Sequence, residues 1–220
     1  HGKLAIGYGL MGWHPTRGVV SMNGRVLKND GPRGAIARGV FLLPDDRRQS
    51  GLVLDRSIVE NVIFASVQHQ RRFLRFPLGP LSPINWKAAE GFTRRAIDEL
   101  DIRCRGPRQR VRLLSGGNQQ KVCLARAMAM EPRLLAVAEP TRGVDIGARR
   151  AVLEALLRLN LEQGTTIICA SSELRDLKRI CDRILIVYEG RPFTELSPDS
   201  NDLEFALALS GKKMQGRGPD

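Results

Sequence analysis

Four short apolar runs punctuate an otherwise mixed chain: Gly39 to Leu43, Leu134 to Ala138, Thr165 to Ala170 and Arg183 to Tyr188. The first is stopped by Pro44-Asp45-Asp46, as expected of a buried strand ending in a loop, and each of the other three follows a helical stretch. Strands alternating with helices over this spacing predict an α/β fold with a mostly parallel sheet. Before them, Leu4 to Trp13 is helix-compatible up to Gly12, although Gly7 and Gly9 weaken it. Gly18 to Met22, the turn Asn23-Gly24 and Arg25 to Leu27 predict a small antiparallel edge. Between the first two apolar runs the period is helical, at Ser57 to Ala65, Trp86 to Leu100 and Ser115 to Met130, which reads as a helical insert. Pro77, Gly79, Pro80 and Pro83 break that insert with a loop, and the polar, Gly-rich stretch from Gly211 to Asp220 is expected to fray.

At 220 residues the chain fits one large domain, or one domain with an insert, against a soft prior of about 150 residues per domain. The expected division is an α/β core at 1–48 and 132–210, a helical subdomain at 49–131 and a tail at 211–220. With 42% hydrophobic and 26% charged residues, wholesale disorder is excluded. No apolar run approaches the ~20 residues needed to span a bilayer, and His1-Gly2-Lys3-Leu4 lacks the zones of a secretion signal, so a soluble, cytosolic chain is expected. Cys104, Cys123, Cys169 and Cys181 form no C-x-x-C and no Cys/His cluster, which suggests reduced thiols and no metal site.

The net charge of +12 opens three classes of partner: nucleic acid, an anionic membrane surface, or phosphate ligands. Phe64 to Arg112 concentrates it, with eleven basic residues against four acidic ones. Aromatic residues are only 5% of the chain, too few for a base-stacking surface, so no nucleic-acid partner is expected. A solvated basic face is the plain alternative.

The sharpest chemical feature is Leu114-Ser115-Gly116-Gly117-Asn118-Gln119-Gln120-Lys121, followed by an apolar helical pattern. Ser and two Gly at a helix start present backbone N–H groups and a hydroxyl at the positive end of the helix dipole, which suits a phosphate. Alone, the same residues also make an ordinary capped turn. The second feature is the strand Leu134 to Ala138 running into Glu139-Pro140-Thr141-Arg142-Gly143-Val144-Asp145. It delivers a carboxylate at the C-terminal end of a buried strand, where open α/β sheets hold their ligands.

The order of LSGGNQQK and then an apolar strand ending EPTRGVD resembles the ATP-binding domain of ABC transporters, over most of the chain. Pro44-Asp45-Asp46-Arg47 before Gly51-Leu52, Ser57-Ile58 with Glu60-Asn61, and EPTRGVDIGAR resemble the C-terminal ATP-binding half of bacterial monosaccharide importers of the ribose and galactose type. The resemblance implies a P-loop NTPase-like ABC ATPase fold, with ATP and Mg²⁺ as cofactors. It also implies a second ATP-binding domain and transmembrane permease subunits as partners, at the cytoplasmic face of the inner membrane. On it, Ser115, Gly116 and Gly117, with Asn118 and Gln119, match the signature that meets the γ-phosphate held by the opposite domain. Glu139 matches the carboxylate that polarises the attacking water, and Asp145 the residue that communicates across the dimer.

Several positions depart from the family pattern. Gly2-Lys3 fall where the phosphate-binding loop ends, with Leu4 in place of the hydroxyl that binds Mg²⁺; His1 to Lys3 are also readable as a remnant of cloning. Ala138 stands where an Asp usually supports the metal, Asp45 where Gln or Glu is usual, and Ser172 where most relatives have His. The expectation is a degenerate ATP site, weak in metal binding and turnover, whose Ser115-Gly116-Gly117 completes a partner's site. A fragment of a tandem protein, lacking its phosphate loop and first strand, is expected. Two other readings remain: a non-hydrolysing regulatory nucleotide-binding domain, and a soluble ABC ATPase acting on nucleic acid.

Overall fold

The computed structural model describes residues 5–76 and 82–212. Gly2, Lys3 and Leu4, the loop at Pro77, Gly79 and Pro80, and residues 213–220 lie outside the described residues. The chain enters through α1 (Ala5–Leu10) and the hairpin of β1 (Ser21–Met22) and β2 (Arg25–Val26). That hairpin turns at Asn23 and Gly24, both at positive φ, which is why Asn-Gly serves there. After α2 (Pro32–Ala37), entered through its proline, comes β3 (Val40–Leu43).

The helical region follows. α3 (Ile58–Gln70) opens on a reciprocal cap: Ser57 accepts the Glu60 N–H, and Glu60 accepts the Ser57 N–H at 2.8 Å. It runs five residues beyond the predicted end at Ala65 and stops at Arg71, which takes the left-handed conformation. α4 (Trp86–Glu99) is capped by Asn85, and α5 (Gly116–Met130) by Ser115. Next come β4 (Leu134–Ala138), α6 (Ile146–Gln163), β5 (Thr166–Ala170) and α7 (Leu174–Ile180).

β3, β4 and β5 form a parallel sheet in that order, with Val40 opposite Leu134 and Leu134 opposite Thr166. All five residues of β4 are buried, the continuous apolar pattern of a central parallel strand. One apolar cluster runs from the sheet into the helices, joining Leu43, Leu135 and Val137 to Ile58, Leu100, Leu124 and Leu156. The helical region and the sheet therefore share a core.

One expectation is corrected. The run at 183–188 does not extend the parallel ladder: β6 (Ile184–Tyr188) pairs antiparallel with β7 (Arg191–Leu196) in a separate two-stranded sheet. The sequence reading missed β7 because Pro192 disguises it, and a strand bearing Pro survives only where no ladder N–H is needed. Glu189 and Gly190, both at positive φ, turn the hairpin, and α8 (Asp202–Leu209) packs Phe205 and Ala208 on Ile184 and Ile186. No helix of the described residues is long and apolar enough to cross a membrane.

Candidate functional site

The start of α5 is built as an outward-facing turn. Ser115 is exposed, and its Oγ receives the Asn118 side-chain amide at 2.9 Å and the Asn118 N–H at 3.5 Å. Asn118 Oδ1 accepts the Arg103 N–H at 2.9 Å, so this side chain stabilises the turn from behind. Gln119 points inward: it is buried, and its amide donates to the carbonyls of Val111 and Leu114 at 3.3 Å each. Ser115 is exposed and Gly116 partly so, at the positive end of a 15-residue helix.

Close neighbours crowd both glycines. A Cβ on Gly116 would lie 2.6 Å from the Arg47 guanidinium, and one on Gly117 would lie 2.8 Å from Ala148 Cβ and 3.1 Å from Asp145 Oδ2. Asp145 caps α6, its Oδ1 accepting the Ala148 N–H at 2.9 Å. That hydrogen bond holds its carboxyl below the usual range. The beginnings of α5 and α6 thus meet at Gly117.

Arg47 joins a third segment to this face. It sits on a single π-helical turn (Arg47–Gly51) that follows β3 and is capped by Asp46, which accepts the N–H groups of Arg48 and Gln49 at 2.9 and 3.0 Å. Its guanidinium donates to the carbonyls of Arg142 and Gly143 at 3.0 and 3.4 Å, while its buried Nε has no partner among the described residues. Asp45, one residue before the cap, instead accepts the Tyr8 hydroxyl of α1 at 3.5 Å. Burial first, and then Asp45, push the Tyr8 pKa up.

Glu139 leaves β4 in the left-handed region, at φ 46°, while its N–H still donates to Ala170 of β5 at 2.8 Å. The residue is 8% exposed. Oε1 accepts the Ser172 hydroxyl at 2.9 Å; Oε2 accepts the Ser172 N–H at 3.2 Å and the Ser171 hydroxyl at 3.4 Å. Ala138, beside it, is buried opposite Ala170. A carboxylate so held can orient a water or accept a proton at the mouth of the sheet.

The loop at 171–173 is itself anchored. Arg149 of α6 donates from Nε to Asp176 at 2.8 Å and from a terminal nitrogen to Glu173 at 2.9 Å; Thr141 donates to the other Asp176 oxygen at 2.7 Å. Asp176 is buried. Sequence reasoning did not single out Asp176, and it quoted Arg47, Thr141 and Arg149 only as letters of a motif. No local pattern gives their partners, which lie on other elements.

The structure therefore brings Glu139 together with Ser172, and Ser115-Gly116-Gly117 together with Asp145. Among the described residues no group of three or more His, Cys, Asp or Glu side chains could hold a metal ion.

The ABC transporter family model matches residues 10–142, from the end of α1 through β4 into the Glu139 loop. This chain belongs to the ABC transporter family. The cassette is 39% identical over 184 residues to the ribose import ATP-binding protein of Rhodopirellula baltica, an alignment covering 83% of this chain and 34% of that protein. It is 36% identical over 215 residues to the xylose import ATP-binding protein of Moorella thermoacetica, covering 96% of this chain and 41% of that protein. The cassette thus spans about two fifths or less of the length of these relatives. A dimeric bacterial ABC transporter cassette superimposes with a TM-score of 0.73 at 20% identity, over 91% of this chain and 82% of that one. A nucleotide-free ATP-binding cassette from an ABC transporter superimposes at 0.74 and 18% identity, over 95% of this chain and 80% of that one. The ABC ATPase fold follows from these likenesses.

Proposed function

We propose that this chain is a single nucleotide-binding domain that energises a bacterial importer of sugars or related small molecules. It works at the cytoplasmic face of the inner membrane, against a second ATP-binding domain and transmembrane permease subunits. The observation that carries this reading is the face formed by Ser115, Gly116 and Gly117 at the capped start of α5, closed against the Asp145 cap of α6. Ser115 is exposed at the positive end of α5, so the phosphate it meets belongs to a neighbouring domain. The names of the relatives, ribose and xylose import ATP-binding proteins, support the importer reading.

The chain's own site is degenerate. ATP supplies the transferable phosphoryl group and Mg²⁺ the neutralising charge for such hydrolysis, which otherwise rests on positioning. Glu139 and Ser172 are in place to hold a water, with Asp45 on the α1 side. Leu4 and Ala138, however, stand where the family has a metal-binding hydroxyl and its supporting carboxylate. Each loss costs a few kcal/mol of transition-state stabilisation, together several orders of magnitude in rate.

The test is ATP-analogue binding and hydrolysis, with and without Mg²⁺, by this chain alone and mixed with the N-terminal ATP-binding half expected beside it. The expected result is turnover only in the mixture, lost on Ser115→Arg. Turnover at ordinary enzyme rates by the chain alone would overturn the degenerate-site reading.

A further inference from the structure

Between Glu60 and Glu90 the sequence contains no Asp or Glu, yet it carries Arg71, Arg72, Arg75 and Lys87 and four of the chain's eleven aromatic residues. The described part of this stretch folds as the end of α3, a pinched connection and the start of α4. Leu74 bridges Ile84 in antiparallel fashion, Asn85 N–H donates to Phe73 at 2.7 Å, and Arg75 N–H donates to Pro83 at 2.9 Å. Arg71 and Arg75 are thereby brought to the same small projection as Trp86 and Lys87.

The residues of this projection divide into two sets. Arg72 and Phe73 anchor it: Arg72 donates to the Ala129 carbonyl at 2.7 Å, pairs with Glu131 at 2.9 Å and lies over the Phe73 ring, which meets Phe92 edge-on at 5.6 Å. The others are left to solvent. Phe76 is 57% exposed, Phe64 50% and Trp86 44%, while Arg71, Arg75 and Lys87 are exposed and form no ion pair or side-chain hydrogen bond among the described residues. Phe64 lies on α3, and Arg71 is the left-handed residue that ends it.

We propose that this projection is an interaction surface for an anionic lipid bilayer. Unpaired Arg and Lys beside exposed Phe and Trp, with no carboxylate interposed, is the combination a headgroup layer accepts: cations reach lipid phosphates while rings settle at the interface. Peripheral attachment needs both contributions, since neither alone holds a protein at the surface. A nucleic-acid backbone would use the cations but leave Phe64 and Phe76 in water. The surface is independent of the nucleotide chemistry proposed above.

The experiment is flotation of the chain with phosphatidylcholine vesicles, with and without about 30% phosphatidylglycerol, at about 0.1 M and about 0.5 M salt. Binding is expected to be about tenfold stronger to the anionic vesicles and largely lost at the higher salt. The triple variant Arg71→Glu, Arg75→Glu, Lys87→Glu abolishes it, and Phe76→Ser with Trp86→Ser weakens it at unchanged charge. A charge-matched variant elsewhere, Arg17→Glu, Arg25→Glu, Lys28→Glu, retains binding. All these positions are exposed, so circular dichroism and thermal melts should stay close to those of the parent. Equal loss in both triple variants would reduce the effect to net charge and overturn the proposal. So would absence of vesicle binding, or a duplex RNA that displaces the vesicles through the same residues.

Discussion

Ser172 holds Glu139 with two donors from one residue, its hydroxyl at 2.9 Å on Oε1 and its backbone N–H at 3.2 Å on Oε2. The carboxylate at the end of β4 is therefore fixed by the loop that follows β5. Ser172→Ala removes the hydroxyl and leaves the N–H. The expected cost is about 1 kcal/mol in urea-unfolding free energy, with the sheet unchanged by circular dichroism. A neutral result would mean that the hydroxyl contributes nothing to holding the carboxylate.

Asp176 is the buried centre of a clamp that joins α6, α7 and the loop after Glu139. Arg149→Ala leaves a buried carboxylate with Thr141 as its remaining side-chain donor among the described residues, and should destabilise by about 3 kcal/mol. Arg149→Ala combined with Asp176→Asn should cost less than the two single losses summed, because the unpaired charge is gone. Additivity in that double-mutant cycle, read from denaturant melts, would show that the pair is not coupled.

The two glycines at the start of α5 should differ in tolerance. A methyl on Gly117 meets the rigid Ala148 Cβ at 2.8 Å, whereas one on Gly116 meets the movable end of Arg47 at 2.6 Å. Gly117→Ala is expected to cost about 1–3 kcal/mol through overpacking, and Gly116→Ala less. Thermal melts of the two variants give the order directly.

Burial pushes the thiols of Cys123 and Cys169 up to about 12. At pH 8 almost none of either is thiolate, so iodoacetamide should leave both unmodified in the folded chain and label them on unfolding. Mass spectrometry of native and urea-treated samples separates the cases. Rapid native labelling at Cys123 would contradict its burial beneath the π-helical turn.

Acid should weaken the fold through its caps. Hydrogen bonds hold the carboxyls of Glu60, Asp46 and Asp145 below their usual range. A pKa depressed on folding gives stability that is complete above the unfolded value and is lost as pH falls toward the folded one. The urea midpoint should therefore drop from about pH 5 to about pH 3, and Glu60→Gln should flatten that slope while still capping α3. A midpoint independent of pH over that window would remove the caps from the account.

Much of this was legible along the chain. β4 and its run into Glu139, the Asn-Gly hairpin, and the starts of α4 and α5 follow from local rules: continuous apolar runs, turn residues and side-chain caps act over a few positions. So did the candidate residues Ser115, Gly116, Gly117, Glu139 and Asp145, because a motif keeps its spacing. Partnership did not follow. That Gln119 turns inward while Ser115 faces out depends on the carbonyls of Val111 and Leu114. That Ile184 to Tyr188 leaves the parallel sheet depends on β7, which supplies its hydrogen-bond partners. Arg47 on Gly143, Arg149 on Asp176 and Ser172 on Glu139 join residues 27 or more positions apart. Which carboxylate meets which donor across such a separation is set by how the helices pack on the sheet, and no local periodicity encodes it.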